Sequence, residues 1–311
     1  MKDLLRTSDL SPHDFAYLLR RSAKFKKRQS RPNLLEGETV CLYFSKPSTR
    51  TRVSFETAVA RLGGTPVFLG ATDLQLGRGE TIEDTARVIS RYARAFVVRT
   101  FADDDVERFA KAATIPVVNA LTDGHHPCQS VADLLTLFER KEEVRGKKIA
   151  YLGDGNNVAV SLLQAAALAG TSIALASPAG YRVDEAVVED ARRVARATGA
   201  AITSTDDPAE ALRGADAVYA DVWLSMGHSD AERSARHAAL SPYQVNARAM
   251  GLAKQDAIFM HCLPAHRGEE VTAEVADGPQ SVIFDQAENR LWTAMAILYA
   301  LVEEKLEGAR R

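Results

Sequence analysis

The residues best equipped for chemistry stand where apolar runs end. The segment Ser45-Lys46-Pro47-Ser48-Thr49-Arg50-Thr51-Arg52 follows the apolar run Thr39–Phe44. It precedes a stretch in which Phe55, Val59 and Leu62 recur at helical spacing. It reads as a strand-to-helix turn ending at a helix N-terminus, where backbone N–H groups lack helical partners and the dipole places partial positive charge. With the hydroxyls of Ser48, Thr49 and Thr51 and a guanidinium added, this suits a phosphate or another tetrahedral oxyanion. Successive helical residues turn by about 100°, so Arg50 and Arg52 point to opposite sides. One can face an anion, while the other pairs with a carboxylate. A capped helix with a surface arginine pair would carry the same letters.

Other strand ends repeat the theme. Arg99 closes the run Ala95–Val98, at the edge where open α/β sheets bind ligands. His126 and Gln129 lie in Asp123–Ser130, a polar turn before another helix. In the second half, Gly153-Asp154-Gly155-Asn156-Asn157 follows Ile149–Leu152, Asp221 follows Ala217–Ala220, and Cys262 follows Ala257–Met260. Each has a plain alternative: a local salt bridge for Arg99, a structural loop histidine for His126, a turn residue for Asp221 and a small buried side chain for Cys262. Together they form a cationic, anion-binding set in the first half and a neutral-to-acidic set, suited to an ammonium, in the second. An anionic substrate and an amine are the natural pair for such sets.

The elements that must position these residues alternate. A helix is expected over Ser8–Lys27, with Ser11-Pro12 as its start. Strands at Thr39–Phe44, Thr65–Leu69, Ala95–Val98 and Pro116–Asn119 alternate with helices at Val53–Leu62, Thr81–Tyr92, Asp105–Ala113 and Ser130–Arg140. The glycine-rich loop Gly70–Glu80 reads as a lid or plain surface. Arg145-Gly146-Lys147-Lys148 starts a new unit. It has strands at Ile149–Leu152, Ser172–Ala176, Ala201–Thr203, Ala217–Ala220 and Ala257–Met260, and helices at Val158–Ala169, Glu185–Thr198, Asp207–Leu212 and Pro242–Met250. Ile283–Asp285 reads as a last short strand, and Glu288-Asn289-Arg290 opens a terminal helix. The expected fold is α/β: two domains, each a parallel sheet flanked by helices, with the active site in the cleft between them. Residues 1–140 form the first domain, on which the terminal helix of about 287–311 packs back, and 141–286 form the second.

Composition excludes several classes. A net charge of −2 over 311 residues gives no reason to expect nucleic acid or an anionic membrane as partner. No apolar run approaches a membrane span. Charges at Lys2, Asp3, Arg6, Asp9 and Asp14 leave no signal-peptide core, so a cytoplasmic location is expected. Cys41, Cys128 and Cys262 are far apart and odd in number, which suits a reducing compartment and no zinc cluster. The unit at Ile149–Ala176 invites a dinucleotide reading, but Val158 replaces the third glycine and no acid ends the second strand.

Ser48-Thr49-Arg50-Thr51-Arg52, His126-Pro127-Cys128-Gln129, Asp221-Val222-Trp223-Leu224-Ser225-Met226-Gly227 and His261-Cys262-Leu263-Pro264 resemble, in order and spacing, the signatures of the ornithine carbamoyltransferases. The first motif and the His-Pro pair are shared with the wider carbamoyltransferase superfamily; the last two motifs point to ornithine as acceptor. The resemblance implies that carbamoyl phosphate is held by Ser48, Thr49, Arg50, Thr51, Gln75, Arg99, His126, Gln129, Cys262, Leu263 and Arg290. Within that set, Arg50, Arg99, His126 and Cys262 act in catalysis, and Gln75 reaches a neighbouring subunit's site. It implies that Asn157, Asp221, Ser225 and Met226 bind L-ornithine, with Asp221 on its α-ammonium and Cys262 near its δ-amine. It implies carbamoyl transfer to ornithine without metal or organic cofactor, as an arginine-biosynthesis or urea-cycle-type step or in the catabolic direction, in a homotrimer or an assembly of trimers.

Overall fold

A computed structural model describes residues 1–29, 32–76, 79–224 and 230–304. It divides into two compact units: Met1–Ala132 together with the chain from Glu288 onward, and Asp133–Ala287.

The first unit holds α1 (Pro12–Lys26), β1 (Thr39–Phe44), α2 (Thr49–Arg61), β2 (Thr65–Gly70), α3 (Ile82–Ile89), β3 (Ala95–Arg99), α4 (Asp103–Ala112) and β4 (Val117–Leu121). The helix α5 (Pro127–Lys141) begins in it. The strands form one parallel sheet in the order β2-β1-β3-β4. After β1 the chain crosses over to one side of that strand, and after β2 it returns to the other. The order therefore reverses between β1 and β3, and their carboxyl ends border a crevice there. Phe44 stands in register with Arg99, and the Ser45 N–H donates to the Arg99 carbonyl at 2.9 Å. Phe55, Ala58 and Val59 bury one face of α2. Fully burying a side chain as large as Phe55 is worth about 1.5–3 kcal/mol.

The second unit continues with β5 (Lys148–Leu152), α6 (Asn157–Ala169), β6 (Ser172–Ala176), α7 (Glu185–Thr198), β7 (Ile202–Thr205), α8 (Pro208–Leu212) and β8 (Ala217–Ala220). Then come α9 (Asp230–Leu240), α10 (Ala247–Met250), β9 (Ile258–His261), α11 (Ala273–Ala276) and the start of α12 (Ile283–Val302). Its sheet is parallel, in the order β7-β6-β5-β8-β9, and reverses between β5 and β8. Its core is built from Leu152, Val218, Phe259, Val245 and Ile283, among others.

Several elements depart from the sequence reading. The helix after β1 starts at Thr49 rather than Val53, so Arg50, Thr51 and Arg52 occupy its first turn. Likewise α5 starts at Pro127, with the His126 carbonyl accepting from the N–H groups of Gln129 and Ser130. Polar side chains at both starts mask helical backbone. The helix α9 escapes the sequence pattern because, of the side chains described from 232 to 240, only Leu240 is buried. The expected helix Pro242–Met250 is interrupted: Val245 forms a β-bridge with Val271, and α10 restarts with Asn246 as its cap. Ile283–Asp285 is not a strand but the first turn of α12, since the Gln286 N–H donates to the Val282 carbonyl at 2.9 Å. A three-residue apolar run cannot distinguish the two by periodicity. Glu288–Arg290 accordingly continues that helix rather than opening it. From Glu288 on, α12 packs within the first unit: Tyr299 meets Phe25 edge-on at 5.8 Å and Lys26 donates to Asn289 at 2.8 Å.

Gly155 is required at the end of β5 by proximity. Its N–H donates to the Tyr181 carbonyl at 2.7 Å, and a Cβ there would lie 2.5 Å from the Arg182 carbonyl carbon. Both neighbours are backbone and cannot swing away. Gly155→Ala should therefore cost about 2–3 kcal/mol, read as a lowered urea midpoint; an unchanged midpoint would show that the 181–183 segment yields freely.

Candidate active site

In the first unit, four chain segments deliver side chains to the carboxyl edge of the sheet. Ser48 is the N-cap of α2 but makes no capping hydrogen bond with its side chain, so its hydroxyl is not used up by its own helix. Thr49 is exposed and Arg50 half-buried. The carboxylate pairing that sequence leaves to one of two arginines falls on Arg52. It bonds Glu56 at 3.0 Å and lies over the Phe68 ring at 3.5 Å. Among the described residues, Arg50 has no ion-pair partner.

Thr51, Gln129 and Arg290 meet. The Arg290 guanidinium donates to the Gln129 side-chain oxygen and, at 3.2 Å, to the Thr51 hydroxyl. All three are buried, at 2%, 2% and 4% exposure. Both of these acceptors are neutral, so neither cancels the positive charge of the guanidinium. His126 is buried as well. Burial first, then the guanidinium charges of Arg290 and Arg99, hold its imidazole well below the ordinary histidine range. It is therefore neutral at pH 7, able to donate a hydrogen bond but not to carry charge.

The loop before His126 is fixed by Asp103 at the head of α4. That carboxylate accepts from His125 Nδ1 at 3.0 Å and from the Thr122 hydroxyl. Burial would raise the Asp103 carboxyl, but the His125 and Thr122 hydrogen bonds bring it below its usual value. Gln75 is exposed, and its carbonyl accepts from the Glu80 N–H at 3.3 Å.

In the second unit, β5, β8 and β9 bring Asn156, Asp221 and Cys262 together. The Asn156 side-chain oxygen caps α6, accepting from Val158 and Ala159 N–H groups at 2.9 and 3.1 Å. Its amide donates to Asp221 Oδ2 at 2.7 Å, and the Cys262 thiol donates to Oδ1 at 3.0 Å. Asp221 is buried and thereby oriented from both oxygens. Asn157, the next residue, is half-buried in the first turn of α6. Arg236 of α9 ties two of these loops, donating to the Trp223 carbonyl at 2.7 Å and pairing with Asp154. Leu263 is half-buried, with its φ at +62°. Ser225 and Met226, expected at the ornithine end, lie outside the described residues.

Cys262 differs from Cys128, which is fully enclosed, donates to the Asn119 carbonyl and is pushed up to about 12 by burial. One ligand atom each from Asp221, His261 and Cys262 lie within 4.8 Å of one another, as do those of His266, Glu269 and Glu270. Both ring nitrogens of His261 are already engaged, by the Leu263 N–H and by Glu270. Among the described residues, no helix is long and apolar enough to cross a membrane.

Family profiles match both halves. Residues 2–139 match the carbamoyl-P binding domain of aspartate/ornithine carbamoyltransferase, and residues 145–301 match its Asp/Orn binding domain. The chain belongs to the aspartate/ornithine carbamoyltransferase family. Among these carbamoyltransferases, it is 53% identical to the ornithine carbamoyltransferase of Acidothermus cellulolyticus, over 97% of both chains. It is 52% identical to that of Bacillus subtilis, over 97% of this chain and 94% of the relative. The solved ornithine carbamoyltransferase of Pyrococcus furiosus superposes with a TM-score of 0.93 at 48% identity, covering 98% of each chain. That of Gloeobacter violaceus gives 0.89 at 45% identity, covering 97% of this chain and 99% of that one.

The sequence of the carbamoyltransferase site did not reveal Asp103, and it showed Asn156 only as part of the turn after β5. Asn156 could have been found as an N-cap before an apolar helix; Asp103, joined to its partners only by folding, leaves no local signal. Asn156→Ala should cost about 1 kcal/mol of stability through the lost cap, seen as a lower midpoint in urea. The neutral His126 makes a second prediction. The unfolded chain takes up its proton near pH 6.5, while the folded state resists doing so to a lower pH. Stability is thus complete above that pH and falls as pH drops through it. His126→Gln should show a smaller loss of urea midpoint between pH 8 and 5.5 than the parent; equal losses would contradict a depressed histidine.

Proposed function

We propose that the protein transfers the carbamoyl group of carbamoyl phosphate to the δ-amine of L-ornithine, forming L-citrulline and phosphate. It is an enzyme, a transferase. The observation that carries this reading is one chain holding two complementary half-sites: the buried Arg290 and half-buried Arg99 near a neutral histidine, and an oriented carboxylate beside a thiol.

In the first, Ser48, Thr49, Arg50, Thr51 and Arg99 hold the phosphate. The N-terminus of α2 adds backbone N–H groups and its dipole. His126, Arg99 and Thr51 stabilise the carbamoyl oxygen as negative charge grows on it. Preorganised donors of this kind act on the transition state more than on the substrate. A neutral His126 gives a hydrogen bond to that oxygen without repelling Arg99 and Arg290. Gln129 takes the carbamoyl nitrogen on its side-chain oxygen, an acceptor for an N–H donor. Leu263 adds its carbonyl, and Arg290 also reaches the carbamoyl group. In the second half-site Asp221 pairs with the α-ammonium, aided by Asn157, Ser225 and Met226, while Cys262 lies by the δ-amine.

Before attack the δ-ammonium loses a proton, at a cost of roughly 4–5 kcal/mol at neutral pH for a lysine-like group; desolvation lowers that figure. That proton goes to solvent; the amine then attacks the carbonyl carbon, the C–O bond to phosphate breaks, and the departing phosphate takes a second proton, from the attacking nitrogen. We assign carbamoyl phosphate binding to residues 1–140 with the terminal helix, and ornithine binding to 141–286. We further place the reaction in the cytoplasm, as an arginine-biosynthesis or urea-cycle-type step or in the catabolic direction, in a homotrimer or an assembly of trimers in which Gln75 reaches a neighbour's site. Free Cys41, Cys128 and Cys262 suit a reducing compartment. An acylated ornithine would offer no α-ammonium to Asp221, which argues for the free amino acid.

The deciding assay supplies carbamoyl phosphate with ornithine, acetylornithine, putrescine or aspartate and measures the ureido product. Citrulline should form fastest, and its absence would end the proposal. Arg50→Ala should abolish carbamoyl phosphate binding, and Asp221→Ala should raise the ornithine KM far more than that of carbamoyl phosphate. At subsaturating ornithine the rate should rise between about pH 7 and 8.5, below the amine's pKa.

A further inference from the structure

The segment that carries Cys262 and Leu263 is held from behind by two side chains with no assigned role. Leu263 lies at φ +62°, in the left-handed region. Few residues with a side chain adopt it, and it persists only where the surroundings enforce it. The enforcing contact is local: the Leu263 N–H donates to His261 Nδ1 at 2.9 Å. A ring nitrogen that accepts carries no proton, so His261 is neutral and bears its proton on Nε2. That N–H donates to Glu270 Oε1 at 3.1 Å. Both side chains are fully buried, at 0% exposure.

Glu270 is itself anchored. Its Oε1 also accepts from the His266 N–H at 2.6 Å, and its carbonyl accepts from Val245 at 2.9 Å. Burial alone would raise its carboxyl, but the hydrogen bonds from His261 and from backbone N–H groups bring it below the usual range. An ionised Glu270 can only accept, so it dictates which nitrogen of His261 is protonated. Upstream, the His261 N–H donates to Gln286 Oε1 at 2.9 Å, which fixes the backbone from which the turn departs.

We propose that Glu270 and His261 are positioning residues for the transfer. Glu270 selects the Nε2–H tautomer, that tautomer leaves Nδ1 to hold Leu263 left-handed, and the turn so held sets the Leu263 carbonyl and keeps the Cys262 thiol on Asp221. The proposal rests on the reading of Leu263 and Cys262 given under Proposed function. Neither Glu270 nor His261 is placed against substrate; both act through the turn.

The test compares Glu270→Gln, which keeps an accepting oxygen, with Glu270→Leu, which removes it, in citrulline formation by the full chain at saturating substrates. Glu270→Leu should lower kcat about 100-fold, the order expected for a misplaced reacting group, while Glu270→Gln stays within about threefold of the parent. A purely structural role would lower both urea midpoints and leave the kcat of the folded fraction alike in all three proteins, and that outcome overturns the proposal. Nitrogen-15 NMR of histidine-labelled parent protein reads the tautomer directly and needs no variant to fold. His261 protonated on Nε2 alone supports the proposal, and a proton on Nδ1 overturns it. Absence of citrulline with the parent would strike the functional reading instead, and the tautomer would still decide between a dyad that fixes the turn and one that does not.

Discussion

A parallel sheet whose strand order reverses must leave a place where two neighbouring strands send their chains to opposite sides. The Ser48–Arg52 turn, Arg99, Asn156 and Asp221 all stand at such a place. In the first unit the reversal lies between β1 and β3, so the head of α2 and Arg99 converge there. In the second it lies between β5 and β8, which brings the Asn156 cap beside Asp221, with β9 adding Cys262. Backbone carbonyls and N–H groups are spent on the ladders up to the last residue of each strand. Beyond it the chain is released to point side chains and helix N-termini at a ligand.

Charge is distributed unequally between the half-sites. The first places the guanidinium groups of Arg290 and Arg99 near an imidazole that burial first, and then those charges, keep neutral. The second is organised around a single carboxylate with a fixed orientation, both of whose oxygens are engaged by neutral donors. Neutral donors leave the carboxylate its full charge for an ammonium. The tyrosines beneath it, Tyr151 and Tyr219, are pushed well above the ordinary phenol range, by burial first and then by nearby carboxylates. They stay protonated and serve as scaffolding: Tyr151 donates to the Asp154 carbonyl at 2.8 Å.

Sequence disclosed the positions of these groups better than their support. Strand ends followed by Ser48–Arg52, Arg99, His126, Asp221 and Cys262 were readable because buried parallel strands are short apolar runs and polar residues punctuate them. That Arg50 and Arg52 point apart followed from helical geometry, and Arg52 is the one that pairs with a carboxylate, Glu56. The start of α12 at Ile283 was misread because three apolar residues fit either element. The helix α9 was missed because it buries little. Asp103 beneath the His126 loop and Glu270 behind His261 were invisible, since each becomes a partner only through a fold that brings distant or oppositely facing residues together.

Arg290 and Thr51 are hydrogen-bonded although 239 positions separate them in the chain. The second unit is thus an insertion within the first, and the first is unfinished until its final helix exists. A ribosome adding on the order of 5–20 residues per second needs some tens of seconds to travel from α2 to Arg290. Throughout that interval the guanidinium that joins Thr51 to Gln129 is missing, and Phe25 and Arg61 lack the rings of Tyr299 and Trp292 that they meet in the folded chain. The half-site around Thr51 is therefore complete only after α12 has been made.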